Sequence, residues 1–333
     1  MIHSILSPLA CYPSRRVSPI DISILASTLG VSLPVFAMVF IGAVLKRLGW
    51  IDQAFVDTAS SLVFRLTMPT LLFLSLLRAD PGQDLKLGLV GFYLVVSVAI
   101  FLVIWGWALW RCPRVDRGVF VQGAFRGNCG IVGLALSANM YCDFGLSLGS
   151  VMAGGIIIVN LVMSAIVLSV YSPVVSSRPL AILKDVATNP LIIGIVAALP
   201  LTYLHLDLPP WLMTSGDYLA SLSLPLALIC IGGSLSLQAA RESGTLALSA
   251  SLWKVAVMPA IGVALALAVG FRGAELGMLF LFLGSPTAAV AYVMARGAGA
   301  NQRLAASIIM LSTLLSLVSI SVGIMVLTAA DLV

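Results

Sequence analysis

Charge is what this 333-residue chain has least of. Asp, Glu, Lys and Arg together make up 9% of it, where a soluble globular domain carries about 25%. With 60% of its residues hydrophobic, the chain cannot cover a water-facing surface, and an ordinary soluble domain is excluded. Histidine is nearly missing, with His3 and His205 alone. The five cysteines (Cys11, Cys112, Cys129, Cys142 and Cys230) show no CxxC spacing, so neither a metal site nor a disulfide framework is expected. No HExxH, no paired intramembrane aspartates and no Ser/His set is present, which argues against an enzyme, and no cofactor is expected. The net charge of +5 is spread over many loops and makes no basic stripe, so no nucleic-acid partner is expected.

What the chain does have is long apolar runs. Ten of them approach the ~20 residues needed to cross a bilayer, at 28–46, 54–77, 86–110, 119–138, 145–170, 189–206, 212–236, 246–269, 275–295 and 304–328. The lipid bilayer is therefore the expected solvent and the fold class is an all-α integral membrane protein. The apolar map repeats after 156 residues: Pro34 falls on Pro190, Pro69 on Pro225, and FRLTMPTLL at Phe64 on ASLSLPLAL at Ala220. Five spans per copy is an odd number, so the second copy must lie inverted, an architecture common among secondary transporters. The expected units are a tail over 1–24, a first repeat over 25–171, a linker over 172–188 and a second repeat over 189–333. The tail holds Arg15, Arg16 and three prolines, which does not read as a signal peptide. Loops after odd-numbered spans carry ten basic residues and the opposite side carries five. The positive-inside rule then places both termini on the periplasmic side.

Ionisable groups inside a span are costly and point to function. Three basic residues qualify, Arg65, Arg126 and Lys254, and no acidic residue sits at mid-span. An interior biased positive suits an anionic substrate, whereas long side chains that only snorkel to an interface are the plainer reading. FRGNCGIVGLAL at Phe125 places Gly127, Gly130 and Gly133 at a three-residue spacing with Asn128 between them. Such glycines either let helices pack closely or permit an unwound backbone. In the second half Pro286 interrupts a span between Ser285 and Thr287, whose hydroxyls either bind substrate or restore the helix's lost hydrogen bonds.

These residues resemble the auxin efflux carrier family, in its bacterial branch. The resemblance rests on LPVF at Leu33, RLTMPTLLF at Arg65, FRGNCGIVGLAL at Phe125, NPLIIGIVAAL at Asn189, LSLPLALICIGGSL at Leu222, WKVAVMP at Trp253 and SPTAAVAYVMA at Ser285. It implies ten helices as a 5+5 inverted repeat, with discontinuous helices 4 and 9 crossing beside the substrate. Helices 1, 2, 6 and 7 would be a scaffold, with a homodimer contact through helices 2 and 7. The remaining helices would move as an elevator carrying a small organic anion, a mono- or dicarboxylate such as malonate, malate or auxin, across the inner membrane. Asn128, Lys254 and Pro286 match the family pattern, while Ala135 and Ala291 stand where relatives often have proline or asparagine at the crossing. The expected substrate site is Arg126, Asn128, Gly130, Gly133, Ala135, Lys254, Ser285, Pro286, Thr287 and Ala291. A sodium-coupled symporter of the bile acid fold and a non-transporting membrane sensor are the alternatives.

Overall fold

A computed structural model describes residues 22–78, 86–171, 187–188, 190–204, 208–234 and 244–333. The tail over 1–21 and the linker over 172–186, with Arg178 and Lys184, lie outside the described residues. Every regular element among those described is helical, as hydrocarbon demands of any backbone that does not close into a barrel. The helices are α1 (Ile22–Arg47), α2 (Gln53–Leu62), α3 (Met68–Leu77), α4 (Leu87–Arg111), α5 (Arg117–Phe125), α6 (Leu134–Tyr171), α7 (Pro190–Tyr203), α8 (Pro210–Ser234), α9 (Thr245–Leu252), α10 (Met258–Val269), α11 (Gly273–Gly284), α12 (Val290–Gly297) and α13 (Gln302–Ala329).

Several of these are parts of longer rods. α2 and α3 are joined by a π turn over Val63–Thr67, and α9 and α10 by one over Trp253–Val257. Each π turn immediately precedes a proline at the start of the next helix, Pro69 and Pro259. A proline ring clashes with the carbonyl four residues back, and one extra residue per turn moves that carbonyl aside without breaking the rod. Arg65 and Lys254 both sit on these widened turns. α6 is two helices in one: Cys142 has non-helical angles (φ 51°, ψ −131°) in its middle, and exposed Asp143 follows. Cys142 is disulfide-bonded, a cross-link the cysteine spacing does not suggest, while Cys112, Cys129 and Cys230 are free thiols.

Six helical stretches among the described residues are long and apolar enough to cross a membrane: Gln53–Leu77, Leu87–Arg111, Cys129–Tyr171, Pro210–Ser234, Thr245–Val269 and Gln302–Ala329. Pro190–Tyr203 and Gly273–Gly284 are shorter apolar helices. α8 packs against α1, α2 and α3, and α7 against α3, while α4, α5, α6 and α9–α13 build a larger core to which α1 adds Val35, Phe36 and Val39 and α8 adds Leu228 and Ile231. That larger core holds the ends of α5 and α11, where Phe101 meets Phe125 at 5.0 Å and Tyr93 meets Phe282 edge-on at 5.9 Å.

The α1–α8 contact depends on missing side chains. A methyl group on Gly42 would overlap the Ile229 carbonyl, and one on Gly232 the Val39 carbonyl. Close backbone approach of this kind is how helices gain dispersion contact where no hydrophobic effect separates protein from lipid. Gly232→Ala is therefore expected to destabilise the purified protein by about 1–3 kcal/mol, the usual cost of overpacking. Gly88→Ala, with nothing within 4 Å of the new methyl, should leave the thermal midpoint unchanged or slightly raised.

Candidate functional site: the crossing of two broken helices

α5 stops at Phe125 because the next three residues leave helical space. Arg126 is extended (φ −77°, ψ 98°) and Asn128 lies at φ −82°, ψ 53°. A π turn over Cys129–Gly133 then leads into α6. α11 stops at Gly284, Ser285 turns extended (φ −59°, ψ 139°), and the helix resumes as α12 at Val290. The two extended pieces meet antiparallel through a bridge between Gly127 and Thr287. The Asn128 N–H donates to the Pro286 carbonyl at 2.7 Å, and the Ala288 N–H to the Arg126 carbonyl at 3.1 Å. Each broken helix thus supplies hydrogen-bond partners that the other has lost, which buried backbone requires.

The remaining orphans are met by side chains. Pro286 has no N–H for the Phe282 carbonyl four residues back, and the Ser285 hydroxyl donates there instead, at 2.8 Å. The Thr287 N–H is turned to Ser312 Oγ at 3.1 Å, and the Thr287 hydroxyl donates to the Gly123 carbonyl at 2.7 Å. Ser285 and Thr287 are both buried. Both hydroxyls thus donate to backbone carbonyls that the breaks leave short of a donor.

The crossing is displaced from where the 156-residue shift puts it. Gly130 and Gly133 lie in the π turn, not in the opening, and buried Ala135 and Ala291 lie inside α6 and α12, beyond the crossing on both sides. Most of the displacement is a difference in length. α5 has 9 residues and α11 has 12, which accounts for three of the four residues by which the Gly127–Thr287 pairing (287 − 127 = 160) exceeds the 156-residue shift. The glycine that matters is Gly127: a methyl there would sit 2.8 Å from Ser285 Oγ, 2.9 Å from Cys129 Sγ and 3.1 Å from Lys254 Cε. At Gly130 the nearest atom would be Ile157 Cδ1 at 3.8 Å, so that glycine is not sterically required.

Two cations stand beside the crossing. Arg126 is 8% exposed and directs Nη1 to Ser164 Oγ at 3.1 Å, to Met294 Sδ at 2.7 Å and towards the Asn160 carbonyl at 3.5 Å. Lys254 is 0% exposed and places Nζ 2.5 Å from the Leu283 carbonyl. The ion pairs among the described residues are Arg78 with Asp217 at 2.6 Å and Lys86 with Glu275 at 3.5 Å, and neither involves these two cations. One turn before Arg126, Gln122 Oε1 is buried without a hydrogen-bond partner among the described residues. The Asn128 amide is half-buried and forms no side-chain hydrogen bond with a described residue. Arg65, by contrast, is exposed and lines a shallow cavity of about 550 Å³ with Asp57, Thr58 and Ser61 on the outer face of α2, away from the crossing.

Gln122, Cys129, Asn160, Ser164, Met294 and Ser312 join the site only through the fold, and Gly127, noticed in the glycine spacing, was not among the expected site residues. Asn160 and Ser164 carried a signal: they are polar residues four apart in an otherwise apolar run, hence on one helix face. Cys129, whose thiol meets Tyr93 Oη at 3.2 Å and Ser285 Oγ at 3.3 Å, gave none.

An all-helical membrane protein whose broken helices cross beside unpaired buried cations has the makings of a solute transporter, not of an enzyme. The chain belongs to the membrane transport protein family, whose model matches residues 29–324, in agreement with its resemblance to the auxin efflux carriers. It is 24% identical over 298 residues to an uncharacterized transporter of Methanocaldococcus jannaschii, covering 87% of this chain and 96% of that one. It is 25% identical over 302 residues to an uncharacterized transporter of Methanothermobacter thermautotrophicus, covering 86% and 94%. Both relatives are archaeal, so these matches do not single out a bacterial branch.

Packing at the crossing predicts opposite outcomes for two neighbouring glycines. Gly127→Ala should lower the thermal midpoint and cut transport several-fold, because Ser285, Cys129 and Lys254 would all have to shift. Gly130→Ala should leave the midpoint within the ~0.5 kcal/mol of an uneventful substitution. Equal effects at both positions in a parallel thermal-melt and uptake assay would contradict the packing described.

Proposed function

We propose that this protein is a secondary transporter of small organic anions, mono- or dicarboxylates, working by elevator-type alternating access across the inner membrane. The observation that carries the reading is Arg126, a buried cation standing beside the crossing without a carboxylate partner among the described residues. An uncompensated buried charge is costly, and a transported anion would offset it. Two helix N-termini add to the field. The Cys129 and Gly130 amides at the start of the π turn, and those of Ala289 and Val290 at the start of α12, have no backbone acceptor among the described residues. Free N–H groups at helix starts favour carboxylates. The Asn128 amide, without a side-chain partner among the described residues, would donate to the carboxylate and fix its orientation, with Arg126 supplying the charge. Ser285, Pro286 and Thr287 would shape the site through the backbone, as would Gly130, Gly133, Ala135 and Ala291 through the helices they start.

The inverted 5+5 repeat is supported by the matching order of rods, by the proline at corresponding positions in α3 and α8, and by the antiparallel meeting of the two breaks. In the elevator reading α4–α6 and α9–α13 would be the moving body and α1–α3, α7 and α8 the frame, meeting where Val35, Phe36, Val39, Leu228 and Ile231 join the larger core. The frame's outer face supports a homodimer through the second and seventh rods, α2–α3 and α8. An exposed Arg65 in the middle of an apolar rod, flanked by Asp57, Thr58 and Ser61, calls for cover by a second copy. The distribution of Lys and Arg favours termini on the periplasmic side.

Uptake of labelled malonate, malate and indole acetate into proteoliposomes tests the reading. One of these carboxylates should accumulate saturably. Asn128→Ala should lower uptake about tenfold or more, given the roughly 1.5–3 kcal/mol of a hydrogen bond to a charged group. Transport untouched by Asn128→Ala would remove that residue from the site, and no uptake of any carboxylate would favour a sensor built on this fold.

A further inference from the structure

We propose that the Lys254 side chain is a resident cation of the crossing, occupying the carbonyl end of α11 where other broken-helix transporters bind a coupling ion, and that its removal opens a site for a small monovalent cation. A helix that stops in hydrocarbon leaves its last carbonyls unmet and its C-terminus partially negative, and such ends coordinate Na⁺ in several transporter folds. At α11 each lost donor can be traced. In an unbroken helix the Thr287 N–H would serve the Leu283 carbonyl and the Ala288 N–H the Gly284 carbonyl. Here the first goes to Ser312 Oγ at 3.1 Å and the second to the Arg126 carbonyl at 3.1 Å. The Phe282 carbonyl has the Ser285 hydroxyl at 2.8 Å and the Cys129 thiol at 3.3 Å. The Leu283 carbonyl has Lys254 Nζ at 2.5 Å, with Met258 Sδ 3.6 Å from the same nitrogen.

The lysine is built into this position. It projects from the π turn before Pro259, is fully buried, and its Cε lies 3.1 Å from where a methyl on Gly127 would stand. The bridge strand therefore closes over it. Its tip addresses the Leu283 carbonyl, and no carboxylate pairs with it among the described residues. The two buried cations consequently have different roles: Arg126 serves the solute, and Lys254 holds the broken end of α11 together. This division rests on the crossing being the transport site, but not on which solute it carries.

The test reads stability and uses no organic anion, so it fails independently of the transport reading. Thermal unfolding of the full-length purified protein would be followed in choline, sodium, lithium and methylammonium chloride at equal ionic strength. The wild type should melt at the same temperature in all four. Lys254→Ala should melt about 5 °C or more lower in choline and recover at least half of that loss, saturably, with sodium, lithium or methylammonium. Lys254→Met, whose thioether refills the space, should be destabilised and respond to none of them. If Lys254→Ala cannot be purified in choline, it should be recovered as monodisperse protein in methylammonium. Saturable sodium stabilisation of the wild type would overturn the proposal. So would a Lys254→Ala protein that no small cation stabilises or recovers, or a Lys254→Met protein as stable as the wild type.

Discussion

Two hydrogen bonds organise this molecule, from the Asn128 N–H to the Pro286 carbonyl and from the Ala288 N–H to the Arg126 carbonyl. A helix cannot simply be interrupted inside a membrane, because each orphaned amide or carbonyl costs several kcal/mol in hydrocarbon. By crossing at their breaks, the two discontinuous helices turn that penalty into a mutual requirement. Neither α5–α6 nor α11–α12 can stay open without the other. The close approach then dictates the neighbours: a glycine at 127, small hydroxyls at 285, 287 and 312, and a thiol at 129 that reaches three partners.

Positive charge follows from the same break. Helix starts at Cys129 and Val290 present free amides, and Arg126 is the residue at which α5 loses its helical geometry. The carbonyl ends of α5 and α11 are the negative poles in this arrangement: the Thr287 hydroxyl donates into the first and Lys254 is placed on the second. The result is a site of positive potential without an acidic partner among the described residues, which is why an anion is the solute proposed.

The architecture was largely legible in the sequence because bilayer thickness and helix rise leave few choices. Six helical stretches among the described residues are long and apolar enough to cross a membrane, and each overlaps an apolar window. The breaks were legible too, in Pro286 and in the glycine-rich run after Phe125. Their register was not. A rigid 156-residue shift assumes equal spacing in both halves, and the three extra residues of α11 over α5 account for three of the four by which the crossing at Gly127 and Thr287 departs from it, leaving Ala135 and Ala291 inside helices. Gly127 is hard to pick from sequence because its requirement comes from Ser285 and Lys254, which are more than a hundred residues away. The roles of the hydroxyls were open for the same reason: only the traced backbone shows which carbonyls Ser285 and Thr287 must serve. Arg65 and Arg126 look alike in the sequence, both being basic residues well inside a span, yet one faces outward from the frame and the other lies against Ser164 at the crossing.

The central claim is that the solute binds where the broken helices cross. The most direct test is a structure of the protein with a transported carboxylate bound. The account predicts density for the anion against the Asn128 amide, within reach of the Arg126 guanidinium and of the first amides of the π turn and α12. Density in the shallow cavity between Asp57 and Arg65, with the crossing unchanged, would contradict it.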